Sequence, residues 1–231
     1  MTAGRRWVPT LSALSGLVFA ALIVLAPEPA GPGEHASAET IALFYEANGQ
    51  AIRTALVITA VGYMFFVWFS ALLTTHLRGR DGSGASVTRI AIAAAVLITA
   101  FQVAGTALWA APSLVDVSGR DPAEVGSLAA FGSLSQEALV VTASFWRALL
   151  LGAVGIAVVR IGMLNRWFGW LTLLLAAVSL IAPIGLGATE KNELISALGF
   201  TSHLAFYAWV AVASVVLAVT LRPTEQAQTR T

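Results

Sequence analysis

The chain has 231 residues, of which 58% are hydrophobic and 11% charged, with a net charge of +1 and a mean hydropathy of +0.82. A soluble domain carries about 25% charged residues, so the composition excludes an ordinary soluble protein and points to a membrane chain. The near-zero net charge argues against a nucleic-acid partner, and the absence of cysteine excludes disulfides, thiolate metal sites and cysteine nucleophiles.

Spanning about 30 Å of hydrocarbon takes roughly 20 apolar residues. Six stretches meet that length: 7–26, 51–77, 90–114, 139–159, 168–186 and 195–221. The reading is therefore an all-α, polytopic, single bundle of six transmembrane helices over residues 1–231. The first stretch follows Arg5-Arg6 and ends at Ala26-Pro27-Glu28-Pro29 without a small-x-small cleavage site. Its length favours a membrane anchor over a cleaved signal peptide.

Residues 27–38 are rich in Pro, Gly and Ala and read as irregular. Ser37 is then placed as an N-cap, and Ile41, Phe44 and Tyr45 fall at helical spacing within 39–50, predicting a short amphipathic helix on the outer surface. Gly79, Gly82 and Gly84 make 78–88 a flexible basic turn. Asp121-Pro122 is a second helix start, with the acid as cap and proline at the first helical position, predicting a second short surface helix through Phe131. Ala55-Leu56-Val57-Ile58-Thr59-Ala60 matches Ala138-Leu139-Val140-Val141-Thr142-Ala143 at an offset of 83. The match reads either as a parallel repeat or as chance among Ala/Val/Leu-rich helices. Small residues such as Ala100 and Ala104, or Gly152 and Gly155, would let neighbouring helices approach. Trp7, Trp109, Trp209 and the aromatics of 165–170 are expected at membrane interfaces or along bundle faces.

Basic residues set the orientation. With the N-terminus inside, Arg5, Arg6, Arg78, Arg80, Arg89, Arg160, Arg166, Arg222 and Arg230 lie inside, and only Arg53, Arg120 and Lys191 lie outside. Both termini are then cytoplasmic. Ten of the twelve acids fall on the outer side, leaving Asp81 and Glu225 inside. The abundance of Ala, Val, Gly and Arg over Lys suggests a GC-rich bacterial gene, placing the chain as a multi-pass protein of a bacterial cytoplasmic membrane, with the bilayer as its first partner.

Arg147 interrupts the apolar run 139–159, which holds no acid. A charge at that depth costs about 2.5–3.5 kcal/mol on insertion scales. Arg147 lies 13 residues from Arg160 and Gln102 lies 13 from Arg89, so both stand about 20 Å above the inner surface, and Gln102 is the expected partner. Glu137, Ser144 and Arg147 share a helical arc of about 80°. Glu46, Arg53 and His203, with Tyr207 beside it, lie nearer the outer side. Together these residues predict a polar vestibule that opens outward and narrows to Arg147, suited to an anion because a desolvated guanidinium would meet it.

Phe44-Tyr45-Glu46-Ala47-Asn48, Phe66-Val67-Trp68-Phe69 and Asn165-Arg166-Trp167-Phe168-Gly169-Trp170-Leu171 resemble a family of uncharacterised multi-spanning bacterial membrane proteins, common in actinobacteria. The resemblance implies a six-span fold and supplies no activity or catalytic residue.

No H-E-x-x-H, nucleotide-binding G-x-x-x-x-G-K-[ST] or G-x-S-x-G motif occurs, and the three histidines are scattered. No metal, cofactor or catalytic residue is expected. The leading expectation is a non-enzymatic bundle that binds or passes a small anionic or amphiphilic ligand. The alternatives are a structural or accessory subunit paired with a membrane-protein partner, in which Arg147 acts as structural glue, and a lipid-acting membrane enzyme.

Overall fold

The computed structural model describes residues 14–27, 29, 31–33, 36–77, 85–115, 117, 119–161, 165–181, 183 and 193–220. All regular structure among them is helical: α1 (Ser15–Leu25), α2 (Ala38–Leu77), α3 (Ala85–Trp109), α4 (Ala111–Leu114), α5 (Pro122–Ile161), α6 (Arg166–Ile181) and α7 (Glu193–Thr220). Four of these, α2, α3, α5 and α7, are long and apolar enough to cross a membrane. The chain is a helical membrane protein. The apolar helices α1 and α6 are shorter, at 11 and 16 residues. The predicted first and fifth spans continue into residues 7–13 and 184–186, which lie outside the described residues.

The end of the bundle at which α1 and α3 finish and α2, α5 and α7 start carries most of the acids, and is called the acidic end below. There the structure corrects the expectation of two separate surface helices. Residues 39–50 and 122–131 are the opening turns of α2 and α5, each an unbroken helix of 40 residues. Such a helix is about 60 Å long, twice the hydrocarbon thickness. No proline interrupts either helix after its start. The predicted caps do form. The Ser37 hydroxyl accepts the Thr40 backbone N–H at 3.2 Å, and Asp121 Oδ1 accepts that of Ala123 at 2.9 Å. The emergent turns share a small core of Tyr45, Ile52, Ala110 and Ala129, and the Tyr45 hydroxyl donates to the Trp109 carbonyl at 3.3 Å.

The third predicted span also ends early. Pro112 lies within the single turn of α4, just past the break at Ala110. It has no N–H to offer the Leu108 carbonyl four residues back. A side chain at Gly132 of α5 would strike that same carbonyl oxygen, so glycine there lets the two backbones meet.

α5 is the hub, packing most extensively on α3 and α6 and also on α2. Lipid tails are as apolar as leucine, so association rests on close van der Waals fit rather than on water exclusion. Ala91, Ala94, Ala95 and Ile98 of α3 are buried in one cluster with Leu150, Leu151, Val154 and Val158 of α5. Of the small residues named from sequence, Ala100 and Ala104 are exposed and Gly152 has open space beside it. Gly155 does serve a close approach: a Cβ there would stand 2.8 Å from Leu173 of α6, and one on Gly169 would stand 2.7 Å from Val159 of α5. Trp209 is a core residue rather than an interfacial anchor; its indole N–H donates to Thr172 at 2.9 Å and ties α7 to α6. Trp167 and Trp170 are exposed, as interface anchoring requires.

Gly132→Ala is expected to force α5 off α3 and to cost about 1–3 kcal/mol as an overpacking defect. Gly152→Ala should be close to neutral, and thermal unfolding of the purified protein in detergent measures both.

Candidate functional site

Arg147 is the largest fully buried side chain, at 1% exposure. It is held on α5 facing α7, where its Nη2 donates to His203 Nε2 at 2.8 Å. One turn further along α7, the Phe206 ring lies 5.1 Å from the guanidinium carbon. Such a cation–π contact contributes about 2 kcal/mol when desolvated. Gln102 of α3 approaches the same His203 nitrogen at 3.4 Å. Gln102 therefore does reach the site, but as a neighbour of His203, and His203 holds the position expected of Gln102. Arg147 Nε and Nη1 are buried with no hydrogen-bond partner among the described residues.

Arginine carries only donors and stays charged. His203 Nε2 must therefore be an unprotonated acceptor, which puts the ring proton on Nδ1. The His203 ring meets Tyr207 edge-on at 6.3 Å, and Tyr207 and Tyr63 line one cavity with it.

His203 and Gln102 also line a cavity of about 490 Å³. Its wall is polar on one part, with Thr59, Tyr63, Thr106, Gln136 and Tyr207, and apolar on the other, with Ile23, Val24, Val140 and Leu204. It extends to Ala26 at the acidic end of α1. Arg147 stands behind His203 and does not line the cavity. Tyr63, Gln136 and Thr59 were missed as site residues in the sequence. Gln136 sits in a polar stretch with Ser133, Ser135 and Glu137 that reads as a solvated surface, and Tyr63 resembles an ordinary core aromatic.

Among the described residues, those expected in a single vestibule are divided between two separate cavities. Glu46 and Arg53 line the second, of about 540 Å³, at the acidic end together with Tyr45, Gln50 and Ser113. Arg53 Nη1 donates to the Ser113 carbonyl and pins α4 to α2. Glu137 is exposed and lines neither cavity. Ser144 is buried but returns its hydroxyl to the Val140 carbonyl of its own helix at 3.1 Å. Thus the structure brings Arg147, Gln102 and His203 together and leaves Ser144, Glu137, Glu46 and Arg53 apart from them.

Among the described residues no group of three His, Asp or Glu side chains could hold a metal. Comparison with protein-family models, with curated proteins and with solved structures finds no match.

Removing one partner of a buried charge costs about 3–5 kcal/mol, whereas a lost polar contact between membrane helices averages about 0.6 kcal/mol. His203→Ala is therefore expected to destabilise strongly and Gln102→Ala weakly. The double change Arg147→Met with His203→Leu should recover most of the loss, read from thermal unfolding in detergent.

Proposed function

We propose that the chain is a non-enzymatic bundle of a bacterial cytoplasmic membrane, with six spans and both termini cytoplasmic. It binds a small amphiphilic ligand with an anionic head from the outer side, through the cavity that ends at His203. The observation that carries this reading is a fully buried guanidinium with two unpartnered nitrogens, placed directly behind a half-polar cavity wall. An isolated charge in an apolar bundle is costly, and a neutral histidine supplies an acceptor without neutralising it. A ligand anion would supply the missing charge. The apolar part of the wall would take the ligand's non-polar portion, as in binding sites where a few polar groups orient a mostly apolar molecule.

The orientation rests on the nine-against-three distribution of basic residues. It puts the acidic end outside. The motif resemblance to an uncharacterised six-span family agrees with this reading and adds no activity to it.

A second reading, an accessory subunit, is favoured by one feature. An apolar groove of about 470 Å³ between α5 and α6, lined by Phe145, Leu149, Ala176 and Leu180, would accept a partner helix.

The protein purified in mild detergent is expected to carry an anionic amphiphile in native mass spectrometry, and Arg147→Met to lose it while remaining folded. Equal occupancy on Arg147→Met would refute the anion-site reading. Recovery of a stoichiometric membrane protein in its place would favour the accessory subunit.

A further inference from the structure

We propose that the polar cavity at the acidic end holds a phosphate ester bearing a primary ammonium, with Arg53 on the phosphate and Glu46 on the ammonium. The head of an ethanolamine phospholipid and the free solute share that chemistry. The cavity has no lining residue in common with the one at His203, so the proposal stands apart from the ligand reading above.

Depth on α2 places the site. Residues 54–75 carry no charged side chain. Those 22 residues rise about 33 Å, close to the thickness of the hydrocarbon. Arg53 therefore stands at the level of the lipid phosphates. Glu46 is seven residues, or about 10 Å, further from the apolar run and on the same face of the helix.

Both charges line the cavity without meeting. Among the described residues the ion pair is Arg120 with Glu124, and it leaves Glu46 and Arg53 unjoined. Arg53 gives Nη1 to the Ser113 carbonyl, but a guanidinium has five N–H donors, so others remain for a ligand. The side chain leans back one turn, because a Cβ on Gly49 would stand 3.5 Å from Nη1. The guanidinium thus lies beside Gly49, about 4.5 Å of helix rise from Glu46. A phosphate and an ammonium joined by a two-carbon bridge span that gap when they lie along the wall.

Gly49 itself lines the cavity, inside a helix where glycine costs stability relative to alanine. A Cβ there would meet only ordinary contacts, at 3.5 Å from Arg53 and 3.8 Å from Ser113, so packing does not demand glycine. Its missing side chain leaves the flank of the guanidinium open. Tyr45 is the one aromatic residue among those lining the cavity. A trimethylated ammonium, which is recognised by an aromatic cage, finds none here. A primary ammonium offers N–H groups to the Glu46 carboxylate. Leu114 and Val115, both exposed, supply an apolar flank for the ester end.

Native mass spectrometry of the full-length protein in mild detergent, titrated with phosphatidylethanolamine, phosphatidylcholine and phosphatidylglycerol of identical chains, tests the lipid source. Calorimetry with free phosphoethanolamine tests the soluble one. Phosphatidylethanolamine is expected to bind about tenfold more tightly than the other two, the margin of one charge-assisted hydrogen bond. Glu46 is exposed, so Glu46→Gln should keep the fold and bring that lipid down to the level of phosphatidylglycerol. Gly49→Ala should raise the thermal midpoint slightly and weaken the same lipid. Binding of free phosphoethanolamine that depends on Glu46 assigns the site to the solute. Equal binding of the three lipids with no heat from phosphoethanolamine overturns the proposal, as does a preference undiminished in Glu46→Gln. A preference lost in Arg147→Met overturns its assignment to this cavity.

Discussion

A guanidinium enclosed by apolar helices must find an acceptor, and on this protein it finds one in His203, 2.8 Å away on the last described helix. That contact fixes the register of α7 against α5, because the donor and acceptor are single atoms and not faces. With His203 in place, Phe206 falls over the guanidinium and Trp209 reaches Thr172, so three polar or aromatic contacts follow along one stripe of α7. The same residue also lines the cavity. Packing and site are set by one bond.

Around this stripe the bundle is held by fit. Lipid gives apolar helices no reason to prefer each other over solvent, so stability comes from how closely backbones meet. The buried alanines of α3, and Gly155 and Gly169 between α5 and α6, supply that closeness. α2 and α5 add another constraint. Each is 40 residues long, and Tyr63 and Arg147 both stand at the twenty-sixth position of their helices. The two long helices thus place a hydroxyl and a guanidinium at matching registers near the same cavity.

Much of this was legible from residue spacing. Hydrophobic runs located the helices, side-chain caps at Ser37 and Asp121 located two starts, and helical rise brought Gln102 and Arg147 to one level. The pairing of Arg147 with His203 was not legible, because it joins residues 56 apart in sequence on two separate helices, and no periodicity encodes which faces two helices turn to each other. Glu137 shares an arc with Arg147 yet is exposed, because an arc says nothing about where neighbouring helices sit. The surface helices were separated in the sequence reading by a change in polarity, but a helix ends at backbone breakers and not at a polarity boundary. Pro112 is such a breaker, and it closes α3 several residues before the apolar run ends.

The position of His203 has a consequence for how the chain is made. Segments emerge from the ribosome in order, N-terminal first, so α5 is delivered to the membrane while α7 is still unmade. During that interval Arg147 carries its full insertion cost of about 2.5–3.5 kcal/mol with no imidazole to accept from it. Seating of α5 is completed by a helix made later in the chain. Biogenesis therefore has a late checkpoint: a chain stalled or cut before residue 203 holds a bare charge in its apolar core, the kind of defect that membrane quality control can recognise.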